Sequence, residues 1–310
     1  MSTQDFNDLV DLAMQNSALA LMRPVVEKEL LHYEIFAALD GAKQLKHLVF
    51  QGGTSLRLCR GSDRFSEDLD FVGGKNFNSA QMENIETCIK AHIGKRFGLS
   101  VTVRPPKLAD RSTSLVTVDK WWITNQTARG NPAMPSQKIK LEIANIPAYT
   151  LESVPLMQNY EILGGMKSIL VNVETSSEVL ADKIVAFPTS LLDNAGLPLP
   201  ATGSKIRHRD IWDIAWLIQK RAVLDPAMVQ KKLLDYGIKN YPEMLDSAIS
   251  MLPDIVRSRQ FKDQMRRFIA ADTFQKTLAT APYLDYLIST VSGQFGDMTN
   301  YLKNPKVLLK

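Results

Sequence analysis

The chain has 310 residues, enough for one large or two modest domains with a sizeable hydrophobic core. A hydrophobic content of 45% and a charged content of 23% are ordinary for globular proteins, and no apolar run approaches the roughly 20 residues of a membrane-spanning helix. The net charge of +4 does not establish a nucleic-acid partner, but residues 201–310 hold 17 Lys/Arg against 11 Asp/Glu, so the C-terminal third is the basic part.

The N-terminal segment is acidic and lacks the basic region of a signal peptide, so we expect a cytoplasmic protein with no membrane partner. Cys59 and Cys88 are the only cysteines. Neither they nor the four histidines show the spacing of a zinc site or a disulfide framework.

In chain order, the pattern first predicts two amphipathic helices, over 5–22 and 25–39, and then a buried strand over 47–50. A glycine pair, Gly52 and Gly53, follows that strand. The next predicted elements are a helix opening at 54–59, a half-buried strand at 68–72 and a helix over 79–97.

Three strands are predicted next, at 99–104, 114–123 and 137–146, the last two as neighbours in one sheet. Segments 127–136 and 191–203, rich in Pro and Gly, are predicted loops. Between them, Ser176 is predicted to cap a helix over 177–187, and the chain is helical from 206 to about 292. We therefore expect an α+β protein. Residues 1–175 would form a mixed β-sheet flanked by helices, and residues 176–310 a helical bundle.

The most informative residues are two aspartates, Asp68 and Asp70, on the predicted strand 68–72. Residues i and i+2 of a strand point to the same face, so both carboxylates would project side by side while Leu69 and Phe71 face the core. Two close carboxylates repel each other unless a cation lies between them. Hard oxygen ligands suit Mg²⁺, so we expect Asp68 and Asp70 to bind metal, with two ions in the site.

The glycine pair lies between a predicted strand and a predicted helix. Without Cβ atoms, Gly52 and Gly53 allow a sharp turn and a close approach of the backbone to a ligand. The N–H groups of the helix start would then face a triphosphate, with Thr54 and Ser55 adding hydroxyl donors. Glycine pairs and Asp-x-Asp are each common, but together in this order they predict a nucleotide site.

These residues carry a family resemblance. The pattern GGTSLRL…RFSEDLDF resembles the nucleotidyltransferase fold of the DNA polymerase β-like superfamily, and within it the AbiEii toxins of type IV toxin–antitoxin systems, which act in phage defence by abortive infection. The matching residues of this pattern are Gly52, Gly53, Thr54, Leu56, Arg57, Arg64, Ser66, Asp68, Leu69 and Asp70. Two later blocks also match, EVLADKIVAF at Glu178, Lys183 and Ala186, and RHRDIWDIAWL at Arg209, Asp210 and Asp213. The resemblance covers Phe50 to Leu217.

The resemblance implies a magnesium-dependent transfer of nucleotides from an NTP to an RNA acceptor, with the tRNA 3′ end as the expected acceptor. It also implies a winged-helix antitoxin encoded by a neighbouring gene, whether or not the two proteins touch. Lys183 and Asp210, in the helical domain, would contribute to the catalytic cleft, Lys183 by contacting the triphosphate. Asp213 would bind substrate. Of the two aspartates, one would contact the base, the ribose or Lys183, and the other has the alternative of pairing with Arg207 or Arg209.

Further site residues are weighed against structural roles. Glu142, in the alternating strand KIKLEIA, is either the third catalytic carboxylate or a surface charge. Arg57 and Arg64 either bind phosphate or anchor the loop to the acidic pair, and Ser66 belongs to the same predicted substrate-binding group. Ser190 departs from the family, which has arginine there, and we expect Arg207 or Arg209 to replace it.

A basic cluster, defined as Arg257, Arg259, Lys262, Arg266 and Arg267, either follows an RNA backbone or forms a solvated helix face. The four tryptophans are predicted to be core or groove residues rather than base-stacking platforms. Two other functions stay open. One is nucleotidylation or phosphorylation of a protein, and the other is a non-catalytic nucleotide-binding protein, against which the paired aspartates argue.

Overall fold

The computed structural model describes residues 5–19, 21–107, 116–127, 136–192, 199 and 205–304. Contacts divide the chain into two compact units, Met1–Glu174 and Thr175–Lys310. Unit 1 contains a mixed sheet with helices and unit 2 is helical, which confirms the α+β class. Within the described residues no helix has the length and apolar character needed to span a membrane.

The sheet of unit 1 has seven described strands in the spatial order β3-β4-β5-β2-β1-β7-β6. Their bounds are β1 Val49–Gln51, β2 Leu69–Val72, β3 Val101–Arg104, β4 Val118–Asn125, β5 Gln137–Ala144, β6 Leu151–Pro155 and β7 Leu170–Glu174. The pairs β2–β5 and β1–β7 are parallel, and the other neighbours are antiparallel. The predicted pairing of the strands at 114–123 and 137–146 is confirmed as β4–β5.

The helices of unit 1 cover the apolar face of this sheet. They are α1 Phe6–Ala13, α2 Arg23–Gly41, α3 Gly52–Arg60 and α4 Ile85–Phe97. Phe36 of α2 packs on Phe50 of β1 and Phe71 of β2, with ring centroids 4.9 Å and 5.9 Å apart. All three rings are buried, and edge-to-face or tilted packing of this kind stabilises the contact between helix and sheet.

Unit 2 consists of packed helices. They are α5 Ser176–Thr189, α6 His208–Gln219, α7 Pro226–Asp235, α8 Tyr241–Arg257, α9 Arg259–Arg266, α10 Ala271–Lys276 and α11 Ala281–Lys303. Phe187 of α5 stacks on Phe295 of α11 with centroids 5.8 Å apart. The helical prediction from residue 206 onward is confirmed, and α11 extends beyond the predicted end at 292 to Lys303.

Several predicted boundaries were wrong because polar side chains compete with the helix for backbone groups. The helix expected over 5–22 ends at Ala13, and the Asn16 side chain accepts from the Ala18 N–H at 3.0 Å to start a 3₁₀ turn. The helix expected over 79–97 begins at Ile85, after a 3₁₀ turn capped by Asn78. Thr175, not Ser176, caps α5, by accepting from the Glu178 N–H.

Two elements were not predicted, and two predicted loops lie mostly outside the described residues. The two elements are the strands β6 and β7. Strand β6 is an exposed edge strand that shows no apolar alternation, so its sequence did not indicate a strand. Of the predicted loops, 128–135 and most of 191–203 are not described.

Candidate active site

A row of side chains crosses four strands of the unit 1 sheet. Asp70 lies opposite Gln51 of β1 on one side and opposite Glu142 of β5 on the other. Glu142 in turn lies opposite Lys120 of β4. Because directly opposed residues of neighbouring strands share a face, Asp70 and Glu142 are side by side. Glu142, one of the two alternatives for a third carboxylate, is thereby placed beside the predicted pair.

A lysine that the sequence did not single out joins this row to Asp68. Lys140 precedes Glu142 by two residues on β5 and shares its face. Its Nζ lies 2.8 Å from Glu142 Oε2 and 3.3 Å from Asp68 Oδ2. Lys120 Nζ lies 3.0 Å from Glu142 Oε1. We call Asp68, Asp70, Glu142, Lys120 and Lys140 the acidic site. Two of its carboxylates, Asp70 and Glu142, come from the adjacent strands β2 and β5, and Asp68 directly precedes β2.

In the acidic site, the lysines and carboxylates shift the pKa values of Lys140 and Glu142 toward the ionised forms. Burial alone would lower the pKa of Lys140, but the hydrogen bond to Glu142 and the charges of Asp68, Glu142 and Asp70 outweigh it, so this pKa is raised. Burial alone would raise the pKa of Glu142, but the hydrogen bonds and charges of Lys140 and Lys120 outweigh that effect, and this pKa is lowered. Near neutral pH both groups are therefore ionised.

The donor set of the acidic site fits Mg²⁺ in part. Asp68 and Asp70 are half-buried at the start of β2, while Leu69 and Phe71 between and beyond them are in the core, as predicted. Mg²⁺ is commonly held by one or two carboxylates together with water and substrate phosphates, which suits this pair. Nowhere among the described residues do three or more His, Cys, Asp or Glu form a metal-binding group. In the acidic site, the Lys140 ammonium forms ion pairs with both Asp68 and Glu142.

The structure explains the glycine pair by close packing against the site. Gly52 begins α3 with φ +76°, a backbone conformation that L side chains rarely adopt. A Cβ there would lie 2.8 Å from Asp70 Oδ2, and a Cβ on Gly53 would overlap the Arg64 guanidinium. Both glycines thus allow the α3 start to lie directly against Asp70 and Arg64.

Thr54 and Ser55 follow in the first turn of α3, and both are buried. The Thr54 hydroxyl donates to the backbone oxygen of Asp68, and the Ser55 hydroxyl donates to Gly52 O at 2.8 Å. The hydroxyl donors expected for a phosphate are therefore used within the protein. The Thr54 bond joins α3 to the residue before β2, and the Ser55 bond lies within the first turn of α3. Their contact with substrate stays a prediction, as does that of the buried Ser66.

The two arginines predicted to lie at the site, Arg57 and Arg64, make structural contacts within unit 1. Arg57 donates to both carboxylate oxygens of Glu29 on α2, at 2.8 Å and 3.1 Å, and its guanidinium lies 4.3 Å from the centre of the Phe65 ring. The anionic partner of Arg57 is thus Glu29 rather than the acidic pair, and a contact of Arg57 with phosphate stays a prediction. Arg64 is buried and donates to Phe65 O at 2.7 Å, next to Gly53.

In unit 2, the remaining predicted residues form a second charged group. Lys183 of α5 is buried, and its Nζ lies 2.6 Å from Asp210 Oδ1 and 2.9 Å from Asp213 Oδ2. The predicted spacing of the two aspartates on one face of α6 is observed. Of the alternatives considered for them, pairing with Lys183 is observed for both.

Arg207 completes this group. Its Nε lies 2.6 Å from Asp210 Oδ2, and its backbone N–H donates to the Ser190 hydroxyl at 3.2 Å. Ser190 stands where the family has an arginine, and Arg207 and Arg209 were considered as its replacements. Arg207 is adjacent to Ser190, whereas Arg209 lies over the Phe268 ring. Burial would raise the pKa of Asp210, but Arg207 and Lys183 outweigh it and hold that pKa well below its usual range.

The matched Glu178 has a structural partner that the sequence did not reveal. Lys232 of α7 is fully buried, and its Nζ lies 2.7 Å from Glu178 Oε1 and 3.1 Å from Asp182 Oδ1. Lys232 follows Lys231 on an amphipathic helix, so nothing in the sequence distinguished the buried lysine from its neighbour. This ion group connects α5 and α7.

The basic cluster surrounds α9. Phe261 and Met265 bury one face of α9, while Arg259, Arg266 and Arg267 are exposed. Asp263 is the single acidic residue of the segment 257–267 against its five basic residues. The guanidinium groups of Arg209 and Arg267 both lie over the Phe268 ring, at 4.7 Å and 5.5 Å from its centre. Of the tryptophans, Trp121, Trp212 and Trp216 are buried as predicted, and Trp122 is exposed.

Comparison with known proteins identifies the family. The model of the nucleotidyltransferase AbiEii toxin family, type IV toxin–antitoxin system, matches residues 35–287, well beyond the predicted resemblance. No curated protein matches the sequence. JHP933 from Helicobacter pylori is similar at 16% identity and a TM-score of 0.41, over 91% of this chain and 94% of that one. A second Helicobacter pylori structure, whose description proposes a nucleotidyltransferase, is similar at 17% identity and a TM-score of 0.41, over 91% and 97%. The chain belongs to the AbiEii family of nucleotidyltransferase toxins of type IV toxin–antitoxin systems.

Proposed function

We propose that this protein is a toxin that transfers nucleotides from an NTP to an RNA acceptor, with the tRNA 3′ end as the acceptor, in the presence of Mg²⁺. The observation that carries the proposal is the acidic site, where Asp70 and Glu142 lie opposite each other on two adjacent strands and Lys140 links Asp68, just before β2, to Glu142. A nucleotidyltransferase family supports the reaction type, and a toxin–antitoxin family implies an antitoxin partner. A winged-helix antitoxin, a cytoplasmic location and a role in phage defence by abortive infection are parts of the same proposal.

In this proposal each residue of the acidic site has a defined task. Asp68 and Asp70 would hold Mg²⁺, with two ions in the complete site, and the ions would supply activation of the attacking hydroxyl and neutralisation of the leaving pyrophosphate. Glu142 stays ionised through its two lysines and orients the acceptor hydroxyl. The first N–H groups of α3, which lack intrahelical partners, face the phosphates next to Gly52 and Gly53. Phosphoryl-type transfer needs little more than such positioning and charge neutralisation.

The roles of Lys183, Asp210 and Asp213 stay predictions from the resemblance. In the structure they form a buried ion group, and removal of one partner from such a group is strongly destabilising. Loss of activity on replacing Lys183 would therefore not separate a catalytic role from a structural one. Asp70, which is half-buried on the central strand β2, gives a cleaner test.

An RNA acceptor is favoured over a protein acceptor by the basic cluster on α9. The segment 257–267, which runs from the end of α8 through α9, carries five positive charges against one negative charge, and four of the five basic residues are exposed. Such a segment attracts a phosphate chain, whereas an uncharged Ser or Tyr acceptor gains nothing from it. Modification of a protein is the alternative that the experiment below distinguishes.

The test incubates the purified protein with Mg²⁺, each labelled NTP in turn and total tRNA, beside the Asp70→Asn variant. We expect label on tRNA with the wild type and at least about a hundredfold less with Asp70→Asn, since a lost metal ligand removes several kcal/mol of charge stabilisation. Asp63→Asn changes an exposed aspartate between α3 and β2, and its label transfer should stay within about twofold of the wild type.

Two results would contradict the proposal. Label that moves to protein and needs no RNA would establish the alternative acceptor. Equal labelling by the wild type and Asp70→Asn would show that the acidic site does not catalyse the transfer.

A further inference from the structure

Lys140 occupies the place among the carboxylates where a divalent cation would have to bind. Its ammonium lies 3.3 Å from Asp68 Oδ2 and 2.8 Å from Glu142 Oε2, and the charge of Asp70 also acts on it. Lys120 differs from it in one respect. It pairs with Glu142 Oε1, at 3.0 Å.

The position of Lys140 is fixed by the sheet. Its neighbours on β5, Ile139 and Leu141, are fully buried, so the backbone at Lys140 is held by the core. The Lys140 side chain is 24% exposed, against 51% for Lys120. A partly buried ammonium between two carboxylates interacts with them more strongly than an exposed one does, because water screens it less.

An ammonium and a divalent metal ion compete for the same carboxylate oxygens. A metal ion that binds Asp68 Oδ2 has to displace the Lys140 ammonium from that oxygen. Lys140 is the lysine that contacts Asp68, so its replacement frees that carboxylate directly, whereas Lys120 acts on the site through Glu142. A nucleotide changes this balance, since its phosphates offer the released ammonium a new anionic partner.

We propose that Lys140 is an internal cation that occupies Asp68 in the nucleotide-free protein, so that the acidic site takes up a divalent metal ion efficiently only together with an NTP. The inference rests on the proposed function in one respect, the assignment of Asp68 as a metal ligand. Lys140 is then a positioning residue. It keeps the carboxylates together without metal and moves to the triphosphate when the nucleotide arrives.

The test measures Mn²⁺ binding to the nucleotide-free protein by calorimetry, with no turnover involved. Lys140→Gln is expected to bind Mn²⁺ about five- to tenfold more tightly than the wild type, the effect of removing one competing ion pair. Lys120→Gln removes the same charge but leaves Asp68 paired, and should change the affinity by less than about twofold. The double variant Lys140→Gln/Asp70→Asn should lose the gain.

Each outcome is decisive. An unchanged or weaker affinity in Lys140→Gln overturns the inference, and so does an equal gain in Lys120→Gln, which would show a general charge effect. If Lys140→Gln does not fold, Lys140→Met keeps a straight side chain and carries the same expectation. Label transfer to tRNA by the wild type without any gain in Lys140→Gln would leave the proposed function standing and remove this inference alone.

Discussion

Two structural constraints, one on the backbone and one on space, require glycine at position 52. Its positive φ places α3 against β2, and its missing Cβ leaves room for Asp70 Oδ2. A side chain at this position therefore strains the backbone and pushes a site carboxylate at the same time.

We predict that Gly52→Ala lowers the free energy of unfolding by about 1–2 kcal/mol, the cost of a left-handed conformation for an L-residue. Displacement of Asp70 should reduce label transfer by more than about tenfold in the same variant. Urea unfolding and the tRNA-labelling assay measure the two effects separately.

Gly41→Ala is the matched control for Gly52→Ala. Gly41 lies at the end of α2, and a Cβ there has nothing within 4 Å. This substitution should leave activity unchanged and stability equal or slightly higher. If Gly52→Ala behaved like Gly41→Ala, the close packing against Asp70 would have no functional weight.

At single residues, the sequence predicted the aspartates and not their partner. The alternation of Asp68, Leu69, Asp70 and Phe71 shows which side chains share a face, because that period belongs to the strand alone. Lys140 is one of three lysines between 137 and 145 or on the facing strand β4, and the pattern gives all of them solvent-facing positions. Only the register of β5 against β2 distinguishes it.

Helix α9 is the element whose role can be tested by charge. Its apolar face is fixed in unit 2 by Phe261 and Met265, so substitutions on the opposite face should leave the fold intact. The exposed ion pair of Arg259 and Asp263, at 3.3 Å, contributes little to stability.

We predict that the triple variant Arg259→Gln/Lys262→Gln/Arg266→Gln binds tRNA about 10- to 100-fold more weakly at low salt. The slope of log affinity against log salt concentration should fall by roughly 2–3, since each lost phosphate contact removes a little under one unit. Filter binding or fluorescence anisotropy over a salt series measures both quantities.

The control for the α9 variant changes three exposed lysines of unit 1 to glutamine, at Lys46, Lys95 and Lys107. It loses the same charge and should retain tRNA affinity within about twofold. Equal weakening of the two triple variants would mean that net charge, and not α9, attracts the RNA.

Among whole elements, long periodic helices were predicted and short edge strands were not. The apolar stripe of α6 is evident in the sequence, and its tryptophans Trp212 and Trp216 are buried as expected. The residues of β6 are exposed or half-exposed, so no apolar alternation marks this strand. Tertiary pairing with β7 makes it a strand, and local sequence does not encode that pairing.

For the molecule as a whole, a buried histidine links stability to pH. His32 is fully buried in α2, where its Nε2 lies 3.0 Å from Glu67 O. Burial is the main reason that the pKa of His32 is lowered to about 4. Between that value and the unfolded value near 6.5, the unfolded chain binds more protons than the folded one, so stability rises with pH.

We predict that stability is fully present above about pH 6.5 and falls by roughly 3 kcal/mol as the pH drops to about 4, through this histidine alone. In His32→Gln, where an amide can still donate to Glu67 O, the loss between pH 7 and pH 4.5 should be smaller. Urea midpoints at the two pH values test this, with His47→Gln at an exposed position retaining the wild-type difference. An equal loss in the wild type and His32→Gln would assign the acid sensitivity to other groups.

The parallel pairing of β2 with β5 has a consequence for the order of synthesis. Asp70 and Glu142 are neighbours in the sheet although 72 residues separate them along the chain, and the crossover between them contains α4, β3 and β4. A contact of such long range forms late, after the loop has been closed. Before Gln137 is translated, the nascent chain contains both aspartates but neither Lys140 nor Glu142. The acidic site of this toxin is therefore assembled in the cell only after β5 has left the ribosome and paired with β2.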